Sequence, residues 1–143
     1  MALYLDSSVL VKLLSREEGS ERAKAKFVEE TTVATSRISL LEVTAALWRK
    51  RRQKDLQESI FRKALREVDQ IFGQLIQIEW IDEVSQQALL LLRKHPLRTL
   101  DAIHLASAVF LKDRLAEAVI FAAADHRLLL TAEQEGFPLF NPV

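Results

Sequence analysis

A chain of 143 residues, 49% hydrophobic and 28% charged with three glycines and three prolines, suits one helix-rich globular domain over residues 1–143 and excludes a disordered tail or long linker. It has no cysteine, so disulfides and thiolate metal sites are excluded, and any metal must be held by oxygen or imidazole. Formal net charge is zero, so nucleic acid can be attracted only by a local patch, and no stretch reads as a targeting or membrane-crossing segment, which makes a cytoplasmic protein the expectation.

Ala2 to Leu5 reads as a short buried strand that ends in Asp6. Ser7 or Ser8 then caps a helix whose apolar members Val9, Leu10, Leu13 and Leu14 fall at helical spacing. A loop over Ser15 to Ser20 leads to a helix from about Glu21 to Glu29, and Thr31 to Thr35 is β-prone. From Ser36 to Leu47 the repeat of Ile38, Leu41, Ala45 and Trp48 predicts a strong helix, with Ser39 and Glu42 spaced as a capping box. A second amphipathic helix is predicted from Asp55 to Phe72, and Leu75 to Trp80 alternates as a third strand does.

Glu83 to Lys94 is the next helix, ended by His95-Pro96 because the residue before proline is pushed out of helical geometry. Thr99 offers a cap for a nearly all-apolar helix from Asp101 to Leu111, which should lie buried in the fold. Ala118 to Ala124 is strand-like and leads to Asp125; His126 to Glu135 is a helix closed by Gly136, and Pro138 to Phe140 a last short strand. Strands alternating with helices imply an α/β fold with a mostly parallel central sheet of about five strands and helices on both faces.

In such a sheet, Asp6 and Asp125 stand at the carboxyl ends of strands, and Glu42 and Asp101 in the first turns of helices, all at one rim. Asp101 opens an otherwise apolar helix, so its charge needs a partner. Two readings stand: helix N-terminal amides or Arg98 supply the partner, or the four acids converge on a divalent cation. Carboxylates without a His or Cys cluster favour Mg²⁺, with Mn²⁺ as a substitute, over Zn²⁺.

The motifs resemble those of the PIN domain, of the toxin type found in VapBC toxin–antitoxin pairs. The matching stretches are Leu5-Asp6-Ser7-Ser8-Val9-Leu10-Val11-Lys12 with Glu17-Glu18-Gly19-Ser20; Ser39-Leu40-Leu41-Glu42-Val43; Leu97 through Ala108; and Ala124-Asp125-His126-Arg127-Leu128. The resemblance implies a metal-dependent endoribonuclease that cleaves single-stranded or loop RNA, a small VapB-like antitoxin partner and a homodimer. Asp6, Glu42 and Asp101 match the three acids typical of the family's metal site, and Asp125 a more variable fourth. The family often has Thr or Ser two residues before that last acid, where this chain has Ala123.

From Arg49 to Arg66 eight basic groups face two acidic ones, a local charge of +6 that suits either phosphate contacts or a solvated helix surface. His104, one turn after Asp101, reads as a packed or supporting residue rather than a ligand, and His95 and His126 as groups at helix ends. Phe61, Phe72, Trp48 and Trp80 fall at core-like spacing. A catalytically silent PIN-like binding module is the alternative function. A phospho-receiver domain fits less well, because Ser7-Ser8 stands where an acidic pair is wanted and no lysine follows Lys112.

Overall fold

β1 (Ala2–Leu5) is buried along its whole length because it is the middle strand of the sheet, paired in parallel with β2 (Thr32–Ser36) on one side and β4 (Val119–Ala122) on the other. The computed structural model describes residues 1–143. β3 (Ile76–Ile78) and β5 (Leu139–Phe140) form the edges, giving the order β3-β2-β1-β4-β5 with every pairing parallel. The helices are α1 (Ser7–Leu14), α2 (Ser20–Glu29), α3 (Ile38–Arg52), α4 (Glu58–Phe72), α5 (Asp82–Lys94), α6 (Thr99–Leu115) and α7 (His126–Gln134). None is long and apolar enough to cross a membrane.

Successive residues of a strand point to opposite faces, and β1 shows the result directly. Leu3 and Leu5 join a core with residues of α1, α3 and α4, whereas Ala2 and Tyr4 join a second core with α5, α6 and α7. Tyr4 stacks on Phe121 of β4 with ring centroids 5.5 Å apart, a contact worth about 0.5–1.5 kcal/mol beyond the area buried. Both faces of the sheet are therefore covered, as an all-parallel sheet requires. The order of crossovers reverses at β1, and the crevice above its carboxyl end is where such sheets bind ligands.

Several local expectations need correction. Asp6, not Ser7 or Ser8, is the N-cap of α1, its side chain accepting from the Ser8 N–H. The Ser39–Glu42 pair is no capping box: Arg37 occupies the N-cap of α3 without a side-chain bond, and Ser39 is turned inward against Thr35 at 2.6 Å. Thr99 opens α6 as its first residue, with Arg98 at the cap. α3 runs on to Arg52, α4 starts only at Glu58, and β3 stops at Ile78. Past that edge strand the alternation no longer means burial, and Trp80 is 56% exposed; in α3, Trp48 is 43% exposed despite its edge-to-face contact with Phe61.

One glycine is set by geometry. Gly19, at the N-cap of α2, has φ +88, and a Cβ there would lie 2.9 Å from the Pro142 carbonyl oxygen, so the chain's last residues lie directly against the α1–α2 loop.

Candidate active site

Asp6 is delivered by the middle strand. Its N–H donates to the Ala122 carbonyl at 2.9 Å, continuing the β1–β4 pairing by one residue before the chain turns into α1. Its side chain is only 9% exposed. Its Oδ2 accepts from the Ser8 N–H at 3.2 Å and from the Ser8 hydroxyl at 2.6 Å. Ser8 Oγ in turn accepts from the Ala124 N–H at 3.1 Å, so one hydroxyl links the ends of β1 and β4.

Glu42 arrives from the other side of β1. Thr35 in β2 donates to the Leu5 carbonyl at 2.7 Å, which commits its hydrogen and leaves the buried Ser39 hydroxyl to donate to Thr35. That chain of bonds fixes the first turn of α3 against β1 and β2, and Glu42 follows one turn later. Its Oε1 lies 2.7 Å from Nε2 of His104, and the same nitrogen lies 3.4 Å from Oδ1 of Asp6. Two acids from distant parts of the chain thus meet on one imidazole.

His104 is 1% exposed, and its Nδ1 stands 2.8 Å from the hydroxyl of the fully buried Tyr4. Burial by itself disfavours the charged imidazolium, but the Glu42 hydrogen bond and the Asp6 and Glu42 charges outweigh it and raise the His104 pKa above its ordinary value. Burial also pushes the Tyr4 phenol well up, with the Asp6 charge adding to it.

Asp101 lies in the first turn of α6, and its carboxyl is pushed above the usual range, first by burial and then by the negative charges of Asp6 and Asp125. The His104 and Arg98 charges act the other way and are smaller, so Arg98 is not the partner that neutralises it. Asp125 is exposed at the N-cap of α7, where Oδ1 accepts from the N–H groups of Arg127 at 2.8 Å and Leu128 at 3.3 Å. The acids therefore share one rim. Asp6 and Glu42 are joined through His104, while Asp101 feels the charges of Asp6 and Asp125. As the side chains lie, no three of these groups form a ready cation-binding cluster.

The chemistry of the donors nonetheless suits a hard divalent cation. They are carboxylate oxygens, and the raised pKa of Asp101 marks negative charge that the protein's own cations leave poorly compensated. Ala123 is buried and offers no hydroxyl, and Ser8, in the first turn of α1, provides the one hydroxyl that bonds Asp6 there.

Sequence reasoning read His104 as a supporting residue but missed its partner. The signal was available: Tyr4 is the only tyrosine in the chain and the only polar-tipped side chain in an otherwise aliphatic strand. His95 is not a helix-end group alone, since its Nε2 lies 2.8 Å from Glu135 Oε2. Of the basic run, Arg49, Arg52, Lys54, Arg62, Lys63 and Arg66 are exposed, whereas Lys50 and Arg51 are half-buried. Arg51 donates to the Leu56 carbonyl, Arg62 pairs with Glu58 and Lys63 with Glu67.

A family model described as "PIN domain" matches residues 3–134. The chain is 37% identical over 134 residues to Ribonuclease VapC45 of Mycobacterium tuberculosis (strain CDC 1551 / Oshkosh), covering 94% of this chain and 91% of that protein. Among solved structures it resembles a toxin–antitoxin complex from Klebsiella pneumoniae, with TM-score 0.65, 21% identity and coverage of 100% and 98% of the two chains. It also resembles Mycobacterium tuberculosis VapC20, described as a sarcin–ricin loop cleaving toxin, with TM-score 0.65, 18% identity and coverage of 94% and 95%.

Proposed function

The chain belongs to the PIN-domain family, and we propose that it acts within that family as a toxin endoribonuclease that hydrolyses phosphodiester bonds in single-stranded or loop RNA. The observation that carries this reading is the meeting of Asp6 and Glu42 on His104 at the crevice of a parallel sheet, with Asp101 within reach of the Asp6 charge. Resemblance to a protein named as a ribonuclease supports the reaction class, and resemblance to a toxin–antitoxin complex supports a small antitoxin as partner. In this reading residues 1–143 act as one PIN domain in the cytoplasm, as a homodimer.

Asp6, Glu42, Asp101 and Asp125 are the residues that would hold Mg²⁺, or Mn²⁺ in its place, and the ion would supply an activated water and neutralise the phosphate. The protein's part is to keep the carboxylates together and oriented. Ser8 holds Asp6 from behind, the Thr35–Ser39 pair sets the turn that carries Glu42, and His104 lies between the two acids. The same acids repel RNA, so exposed basic groups such as Arg49, Arg52 and Arg66 supply the phosphate contacts in this reading.

The test is cleavage of labelled RNA by purified protein, with the folded state of each variant checked by circular dichroism. Mg²⁺-dependent cleavage that disappears in Asp6→Asn and Asp101→Asn supports a nuclease. Folded protein that binds RNA but leaves it uncut in Mg²⁺ and Mn²⁺ would identify a silent binding module instead. Mapping RNA ends after brief expression in cells then names the substrate.

A further inference from the structure

Tyr4 has no part in the steps described so far: its hydroxyl meets the far side of the imidazole that Asp6 and Glu42 share. His104 Nε2 faces two carboxylate oxygens, 2.7 Å to Glu42 and 3.4 Å to Asp6. Ionised carboxylates only accept, so Nε2 carries a hydrogen whatever the charge on the ring. The opposite nitrogen is 2.8 Å from the Tyr4 hydroxyl, which can donate to a neutral Nδ1 or accept from a protonated one. Tyr4 cannot swing away: it is fully buried and held by stacking on Phe121. With the hydroxyl in place, the ring is held at both nitrogens, its Nε2 hydrogen aimed at the acids. Without it, the far nitrogen loses its anchor and the ring is free to tilt away from them.

We propose that Tyr4 and His104 form a positioning pair that orients Asp6 and Glu42 for the divalent ion, with Tyr4 anchoring the imidazole in the orientation that donates to them. This rests on the reading of those acids as metal-holding residues. The pair does not touch the ion. It acts through the carboxylates, holding one oxygen of Glu42 and steadying the Asp6 carboxylate already bonded to Ser8. Groups that hydrogen-bond metal-binding side chains commonly change metal affinity by about 10–100-fold when removed.

Mn²⁺ binding to the full chain, followed by the paramagnetic resonance of the free ion, tests this without reference to cleavage. Each variant is first shown to be folded by circular dichroism and thermal melting without metal. Tyr4→Phe should weaken Mn²⁺ binding about tenfold and His104→Leu about 10–100-fold, whereas His104→Gln, whose amide N–H can still reach Glu42, should stay within about threefold of the parent. Parent-like Mn²⁺ affinity in folded Tyr4→Phe and His104→Leu would overturn the proposal. So would an equal loss in His104→Gln and His104→Leu, because the donated hydrogen would then not matter. If His104→Leu does not fold, Tyr4→Phe and His104→Gln decide the matter between them. Asp101→Asn is the control: if it binds Mn²⁺ like the parent, the metal-site reading itself is overturned and this inference with it.

Discussion

The Ser8 hydroxyl stands between Asp6 Oδ2, to which it donates at 2.6 Å, and the Ala124 N–H, from which it accepts at 3.1 Å. The same two residues cap α1 through the Ser8 N–H, and through the Ser8 hydroxyl join the ends of β1 and β4 and orient the acid at the centre of the rim. Ser8→Ala removes a bond to an ionised group and orphans an amide, and should cost about 1–2 kcal/mol in urea denaturation. It should also slow RNA cleavage roughly tenfold by loosening Asp6. Unchanged cleavage would separate the structural role from the catalytic one.

Asp101 predicts a conflict between stability and activity. Its folded pKa lies above its unfolded one because burial and the Asp6 and Asp125 charges oppose ionisation, so the folded state binds the proton more tightly. Stability of the metal-free protein therefore falls as pH rises through the interval above the ordinary carboxyl value of about 3.9. Asp101→Asn should raise the melting midpoint at neutral pH by about 2–4 °C, after allowing for the solvent that still reaches the group, while abolishing cleavage. Calorimetry with a chelator present measures the first effect. A lowered midpoint would show that the charge is better compensated than the acids around it imply.

Glu135 predicts the opposite pH behaviour. Partial burial pushes its pKa up, but hydrogen bonds from Lys94 and His95 outweigh this and leave it lowered. A lowered acid pKa contributes stability that is present above the unfolded value, about 4.3, and is lost as pH falls through the folded one. Glu135→Gln should cost about 0.5–1 kcal/mol near neutrality, a discounted figure because Lys94 is largely exposed, and should flatten the acid limb of a stability–pH curve. A parent-like acid limb would mean that other carboxylates carry it.

Arg62 and Arg66 line a shallow depression on α4 together with Glu58 and Ser59. If RNA runs over this face, the double change Arg62→Gln and Arg66→Gln should reduce the slope of log affinity against log salt by about 1–1.5 for a single strand. Fluorescence anisotropy with a non-cleaving Asp6→Asn background gives the slope. No change would leave these arginines as a solvated helix surface, consistent with the Arg62–Glu58 ion pair.

Element order was legible because apolar periodicity and buried β-prone runs report on the sheet that each helix covers, and all the expected strands and helices are present in that order. Boundaries slipped where local chemistry competes with periodicity. α3 continues through Arg49, Lys50, Arg51 and Arg52 because basic side chains suit a helix C-terminus, and Trp80 kept the alternation of a strand that had already ended. The acids of the rim could be named from their positions at strand and helix ends. What joins two of them could not, since Tyr4, Glu42 and His104 are far apart along the chain and no spacing rule encodes their meeting. Asp6 shows a further reason: one carboxylate both caps a helix and faces the crevice, and a pattern reading assigns it only one of these roles.

The central place of β1 has a consequence during synthesis. The strand made first must wait for one of its two neighbours until Val119–Ala122 has left the ribosome, and Ser8 must wait for Ala124. A chain that stops before that point has neither the β4 pairing nor the Ala124 N–H, so the rim around Asp6 is completed only when translation has passed these residues.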